Sequence, residues 1–169
     1  MTPRRSVARD RPASSRTGPS RSTAQRDILQ KPVSYRRAEV EGELRLSPRS
    51  RRAIAEGQVE KGDPRVAGGL AGMSAMKRTA ELIPHCHIVP LTSSRVDLEL
   101  TPKGVRVRAV AEARWSTGVE MEALVGATVA LLTVWDMVKY LEKDASGQYP
   151  GTAMGPVRVV RKIKSPSHP

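Results

Sequence analysis

The chain has 169 residues, a formal net charge of +12 at pH 7 and a sequence pI near 10.7. Aromatic residues make up only 3% of it and phenylalanine is absent, so we expect an aliphatic core. A single cysteine, Cys86, excludes an intrachain disulfide and a multi-cysteine metal cluster, which favours a reducing compartment. We recognise no signal peptide and no apolar run approaching the roughly 20 residues that cross a bilayer, so we expect a soluble, cytoplasmic protein.

The positive charge is divided between two unlike segments. Residues 1–26 hold seven arginines and one acid and carry +6, and residues 27–169 carry the other +6. The first segment is otherwise mostly Ser, Thr, Pro, Ala and Gly, which predicts a disordered tail at 1–26 and a folded domain at 27–169. A nucleic-acid-binding arm is one interpretation of the tail. A solvated extension is favoured, because no aromatic residue lies among the arginines to stack on bases.

The first half of the domain predicts one strand and two helices. Alternation of apolar and charged residues indicates a half-buried strand over residues 37–46. A Ser-Pro pair then starts a short helix that stops near Gly57. An Asp-Pro pair at 63–64 starts a helix of about eighteen residues, rich in small side chains, that ends before Pro84.

The second half predicts a hairpin, a long helix and a last strand. Residues 95–101 and 105–114 alternate and are separated by a Pro-Lys-Gly turn. Thr117 and Glu120 fit a capping box at the start of an apolar helix that runs to about Lys143. A Pro/Gly-rich loop and a short strand follow at 147–155 and 157–160. This order predicts an α+β fold, a mostly antiparallel sheet with its long helices on one face.

The segment His85-Cys86-His87 has three interpretations. If it is extended, both histidines point to one side, and such a pair could ligate a metal. Two ligands are too few, however, and no carboxylate-rich loop adjoins them in sequence. A proton-transfer histidine suits an unperturbed pKa near 6.5, and a half-buried structural histidine is the third alternative.

Two further positions carry charged side chains that could act in a site. Lys61 precedes a helix start, where it could meet a phosphate or simply belong to a turn. Asp136 and Lys139 are three residues apart on one helix face, as an ion pair or an acid–base couple. A carboxylate in so apolar a run should be paired or have a raised pKa.

The distance between the two ends of the long helix limits how a site can form. Glu122 and Asp136 are fourteen residues apart, about 21 Å along a helix. Both ends cannot readily reach one small ligand from a single chain. If both are functional, the site is either elongated or assembled from two subunits.

Five motifs together resemble a known family. They are Lys61-Gly-Asp63, Met76-Lys-Arg-Thr79, Leu82-Ile-Pro-His-Cys-His87, Thr117-Gly-Val-Glu-Met-Glu-Ala-Leu124 and Leu132-Thr-Val-Trp-Asp-Met-Val-Lys139. In order and spacing the sequence resembles the cyclic pyranopterin monophosphate synthases, the family of molybdenum cofactor biosynthesis protein C. The resemblance covers about residues 27–161 and leaves the tail out.

The resemblance implies a reaction and an assembly. The family rearranges 3′,8-cyclo-7,8-dihydroguanosine triphosphate, a cyclic dihydro-GTP intermediate, to cyclic pyranopterin monophosphate and releases pyrophosphate. It implies a ferredoxin-like subunit and a homohexamer, a trimer of dimers with its active sites at the dimer interfaces. No resident cofactor or metal is implied, although a divalent ion can accompany the triphosphate, and neither nucleic acid nor membrane is an expected partner.

The resemblance also implies residue roles. The catalytic residues by motif position are Lys61, Asp136, Lys139 and His87. The residues that line the substrate pocket are His85, Cys86, His87, Glu120, Met121, Glu122, Arg36 and Lys77. Lysines near other cations should have lowered pKa values, which would improve them as bases.

Three departures from the family pattern are visible. Ile88 stands where the family usually has proline, and Ser116 stands where it commonly has lysine. The C-terminal run from residue 161 replaces a glycine-rich segment of the family that carries a lysine, and Lys162 or Lys164 could substitute for that lysine.

The alternative function, from another class, is a basic nucleic-acid-binding protein that uses the tail.

Overall fold

The computed structural model describes residues 23–166. Most of the predicted tail, residues 1–22, lies outside the described residues. The remaining four residues of that segment, 23–26, are described and lie beside the folded domain.

The described chain forms one antiparallel sheet with helices packed against it, which confirms the predicted α+β class. The strands are β1 (Ser34–Arg45), β2 (Leu91–Thr101), β3 (Gly104–Trp115), β4 (Ala153–Met154) and β5 (Arg158–Ser165). The helices are α1 (Pro48–Ala55), α2 (Pro64–Lys77), α3 (Thr79–Leu82) and α4 (Glu120–Glu142). The sheet order is β2-β3-β1-β4, and β5 also pairs with β1.

The inner face of the sheet is built from small and β-branched side chains. Ala38 lies opposite Ala111, and Val40 lies opposite Ala109, in the antiparallel register of β1 and β3. All four are fully buried beneath the helices. Side chains of this size let the helix backbones approach the sheet closely, which a core without phenylalanine requires.

Two of the three predicted helix caps are confirmed. The side chain of Ser47 accepts a hydrogen bond from the backbone N–H of Ser50, and that of Asp63 accepts one from Arg65, each just before a proline. The capping box predicted before α4 is wrong. The N-cap of α4 is Val119 without a side-chain cap, and the carboxylate of Glu120 instead pairs with Lys162 of β5.

The helix predicted after residue 63 is divided in two. Arg78 leaves the helical conformation, with φ −113° and ψ 14°, so α2 ends at Lys77 and a single turn, α3, follows. The strands are longer than periodicity indicated, because β2 begins at Leu91 and β5 continues to Ser165.

Helix α4 is long and apolar enough to cross a membrane by length and composition, which corrects the expectation that the chain holds no such run. Its position in the fold gives another explanation for that composition. Residues along its length, among them Ala123, Ala127, Leu131 and Val134, are fully buried against the sheet and α2. Helix α4 is therefore the central core helix of the fold.

A buried carboxylate holds the C-terminal end of α4. Glu142 accepts hydrogen bonds from the backbone N–H of Ser47 at 3.0 Å and from its hydroxyl at 2.8 Å, and also from the hydroxyl of Thr152. These bonds connect the end of α4 to the start of α1 and to the segment before β4.

The contact between α2 and α4 predicts opposite effects for two glycine substitutions. A Cβ at Gly72 would lie 2.8 Å from the carbonyl oxygen of Gly126, whereas a Cβ at Gly69 would meet nothing closer than 3.4 Å. We expect Gly72→Ala to lower the free energy of unfolding by about 1–3 kcal/mol through overpacking. Gly69→Ala should be neutral or stabilise by up to about 1 kcal/mol, because alanine favours helix. Denaturant unfolding of both variants at the same protein concentration tests this prediction. Equal changes in the free energy of unfolding would contradict the close approach of α2 and α4.

Candidate active site

Two lysines converge on one aspartate at the exposed side of α4. The Nζ of Lys61 lies 2.7 Å from Oδ2 of Asp136, and the Nζ of Lys139 lies 2.6 Å from Oδ1. Lys61 also donates to the backbone carbonyl of Asp136 at 3.2 Å. We call these three residues the lysine–aspartate cluster. Each side chain is about half exposed, so the cluster is open to a ligand.

Local structure explains how Lys61 reaches this position. The turn after it passes through Gly62, whose φ of 93° suits a residue without a Cβ, and it leads into α2 at the Asp63 cap. Asp136 and Lys139 are one helical turn apart on α4, so both side chains face the same way.

The charges in the cluster determine the protonation states of Asp136 and Lys139. Hydrogen bonds from Lys139 and Lys61 lower the pKa of Asp136 to about 2, so the carboxylate is ionised at neutral pH. Of the two outcomes expected for Asp136, pairing or a raised pKa, the structure shows pairing. The expectation of lowered lysine pKa values is wrong for Lys139, because its bond to Asp136 raises the pKa of the ammonium group.

A second group of predicted residues lies around an open cavity of about 550 Å³. Lys77, Cys86, His87 and Glu122 all line it, beside the apolar side chain of Met76. The cavity therefore brings together residues from the end of α2, the loop before β2 and the first turn of α4.

The loop carrying the histidines is a turn rather than an extended segment. The backbone N–H of Cys86 donates to the carbonyl of Ile83 at 2.9 Å, and His85 lies exposed in that turn. The arrangement in which both histidines share one side of a strand is therefore absent. His87 is half-buried and its Nε2 lies 2.8 Å from the carbonyl oxygen of Arg26. Within residues 23–166 no group of three or more His, Cys, Asp or Glu side chains is placed to hold a metal.

Burial controls the titrating groups of the cavity. Glu122 is only 4% exposed, and burial together with the nearby charge of Glu120 raises its pKa. Burial, and to a smaller extent Glu122, raises the pKa of the Cys86 thiol, so the thiol is not activated as a nucleophile. Glu122 therefore keeps its proton to a higher pH than an ordinary glutamate.

A third set of charges surrounds the first residue of α4. Burial alone would raise the pKa of Glu120, but its ion pair with Lys162 and the nearby charge of Arg36 lower it overall. Lys164 lies opposite Arg36 in the register of β5 and β1. Lys162 thus lies beside Glu120, a predicted pocket residue, and the substitution of Lys162 or Lys164 for the family's C-terminal lysine stays a prediction.

The single chain does not unite all the predicted residues. Glu122 and Asp136 lie on one continuous helix, fourteen residues and therefore about 21 Å apart. The lysine–aspartate cluster and the cavity are consequently two separate parts. His85 and Met121 are exposed and are not among the residues that line the cavity.

Several residues at or beside the cavity were not predicted from the sequence. Trp115 lines it, and its indole N–H is buried without a hydrogen-bond partner in the described part of the chain. Gln25 and Arg26, assigned to the tail, contact the loop at Cys86 and His87. Nothing in the sequence indicated the contact from residues 25–26.

Comparison with known proteins identifies the family of the chain. Residues 25–165 match the MoaC family. A probable cyclic pyranopterin monophosphate synthase of Saccharolobus solfataricus is 44% identical over 138 residues, 82% of this chain and 93% of the relative. Relatives with the same description from Pyrococcus abyssi and Archaeoglobus fulgidus are 48% and 46% identical, again over 82% of this chain, and over 87% and 88% of their own lengths.

The chain therefore belongs to the MoaC family. It is an enzyme of molybdenum cofactor biosynthesis, and its activity is that of a cyclic pyranopterin monophosphate synthase, a lyase. The resemblance found in the five motifs is thereby confirmed.

The lysine–aspartate cluster predicts a specific titration. Lys139→Met should raise the pKa of Asp136 from about 2 towards its ordinary 3.8, and Lys61→Met should raise it less, because the bond from Lys139 is the larger cause. Because the folded pKa is depressed, this pairing stabilises the protein above the ordinary pKa and is lost as the pH falls towards 2. Carboxyl ¹³C NMR titration measures the shift, with Lys143→Met, at the end of α4, as the control. An unchanged pKa in Lys139→Met would refute the pairing.

Proposed function

We propose that the chain converts 3′,8-cyclo-7,8-dihydroguanosine triphosphate to cyclic pyranopterin monophosphate and pyrophosphate in the cytoplasm, at a site shared by two copies of the chain. The observation that carries the proposal is the lysine–aspartate cluster, in which two ammonium groups hold an ionised carboxylate at an open surface. The catalytic residues of the proposal are Lys61, Asp136, Lys139 and His87.

The cationic side chains suit a triphosphate. Lys61 and Lys139 are exposed, so their ammonium groups can exchange one carboxylate contact for phosphate oxygens without a large desolvation cost. Lys77 at the cavity and Arg36 near α4 supply further positive charge. Charge-assisted hydrogen bonds of this kind also stabilise a pyrophosphate leaving group.

The same groups can move protons. Opening the guanine-derived ring system and closing a cyclic phosphate need proton donors and acceptors. The ionised carboxylate of Asp136 accepts a proton, while the ammonium of Lys139, whose pKa is raised, enters the reaction as a donor. His87, which lines the cavity, supplies a ring nitrogen as a further proton donor or acceptor.

The separation of about 21 Å along α4 supports a site made by two copies. In this proposal the substrate contacts the cavity of one copy and the lysine–aspartate cluster of the other. The helix layer also exposes large apolar side chains, Val66 and Leu70 on α2 and Leu132 on α4. Exposed apolar side chains of this kind suit burial in an interface. The proposed assembly is a homohexamer, a trimer of dimers, with the cavity of one subunit facing the cluster of its neighbour.

The outer face of the sheet does not favour the nucleic-acid alternative. On that face Arg37 pairs with Glu39 and Glu112, and Arg106 pairs with Glu43. These arginines are neutralised by carboxylates on the same surface, whereas a polymer of phosphates needs unopposed cations.

Turnover of the purified protein tests the proposal. Incubation with the cyclic dihydro-GTP intermediate should yield cyclic pyranopterin monophosphate and pyrophosphate, measured by chromatography and mass spectrometry. Parallel reactions with a chelator and with added Mg²⁺ show whether a divalent ion accompanies the triphosphate. No product under conditions in which an established family enzyme turns over would overturn the proposal.

Substitutions in the lysine–aspartate cluster test the role of each residue in the same assay. Asp136→Asn, Lys61→Ala and Lys139→Ala should each lower kcat by about 100-fold or more, since positioned acids and bases contribute on the order of 10²–10⁴. Lys143→Ala, which removes an exposed lysine just beyond α4, is the matched control and should keep nearly full activity. A near-normal rate in any of the three cluster variants removes that residue from the mechanism.

A further inference from the structure

Residues 25–28 lie against the histidine loop and form part of the cavity wall. The side-chain amide of Gln25 donates to the carbonyl of Cys86 at 2.7 Å. The carbonyl oxygen of Arg26 lies 2.8 Å from Nε2 of His87. Gln25 and Ile28 also line the cavity beside Cys86 and His87. We call residues 25–28 the strap.

The strap is fixed at its far end as well. The carboxylate of Asp27 accepts a hydrogen bond from the backbone N–H of Leu29 at 2.8 Å. The backbone N–H of Lys31 donates to the carbonyl of Ile28 at 3.0 Å. This turn precedes β1, so the strap lies between the start of β1 and the histidine loop.

The contact with Arg26 decides how His87 can exchange protons. A backbone carbonyl oxygen only accepts hydrogen bonds, so the bonded Nε2 must carry a hydrogen. In the neutral ring the other nitrogen, Nδ1, is then the acceptor, and in the charged ring Nδ1 carries the second proton. Proton gain and loss at His87 therefore occur at Nδ1 while the strap is in place.

We propose that the strap is a positioning element of the active site, which fixes the ring and the tautomer of His87 so that Nδ1 exchanges the proton with the substrate. This inference rests on the role of His87 in the proposed function. It also moves the start of the functional domain from residue 27 to residue 25 or earlier. The family match, which begins at residue 25, agrees with that boundary.

Two deletions separate the strap from the arginine tail. Removal of residues 1–22 takes away six of the seven arginines but keeps every described residue, whereas removal of residues 1–26 also takes away Gln25 and Arg26. We expect the shorter deletion to leave kcat near that of the full chain. The longer deletion should lower kcat by about 10–100-fold with KM changed less, because misplacing a catalytic group by about 1 Å can cost on the order of 100-fold.

A single substitution covers the case in which the longer deletion does not fold. Gln25→Ala removes the hydrogen bond to the Cys86 carbonyl and keeps the backbone carbonyl of Arg26. It should also lower kcat, by a smaller factor than the deletion of residues 1–26. Full activity in both the longer deletion and Gln25→Ala, with circular dichroism unchanged, would overturn the proposal.

A spectroscopic measurement tests the tautomer without any turnover. In ¹⁵N-histidine-labelled full-length protein, the neutral ring of His87 should show a protonated Nε2 and an unprotonated Nδ1. The chain has three histidines, and the variant His87→Asn identifies the signals of this one. A neutral ring protonated at Nδ1 would overturn the strap proposal even in an active enzyme. Conversely, the expected tautomer in a protein without turnover would support the strap contact and refute the proposed function alone.

Discussion

The close contact between α2 and α4 is the constraint on which the rest of the structure depends. At Gly72 and Gly126 the helix backbones approach so closely that a Cβ on Gly72 would lie 2.8 Å from the carbonyl oxygen of Gly126. A chain without phenylalanine cannot fill its core with large rings, so it gains packing density by bringing backbones together. The alanines on the inner face of β1 and β3 likewise let α4 lie close to the sheet.

This packing makes α4 a fixed support for chemistry at both of its ends. Its buried stripe is held by the sheet and α2, and Glu142 ties its last turn to α1. The first turn therefore presents Glu122 to the cavity, and the fifth and sixth turns present Asp136 and Lys139 to solvent. The helix holds these two ends about 21 Å apart, and in the proposed function a substrate meets both of them through a second copy of the chain.

Much of this could be predicted from local signals, and the failures have a common cause. Alternation located β1, β2 and β3, the prolines at 48 and 64 located two helix starts, and the i,i+3 spacing predicted the bond between Asp136 and Lys139. The Glu120 pairing was missed because its partner, Lys162, is on a strand that comes more than forty residues later. The strap was missed because His87 and Arg26 are 61 residues apart in sequence, and composition alone placed Arg26 in a tail.

The most direct test of the two-copy site is complementation between inactive variants. Asp136→Asn damages the cluster and Glu122→Gln damages the cavity, so each variant alone should have little activity. Co-expressed as differently tagged chains, they should form mixed dimers with one intact site, and random assembly should restore about a quarter of the normal rate. If the mixed preparation is as inactive as its parents although tag capture shows mixed assemblies, the site does not combine the cluster of one copy with the cavity of another.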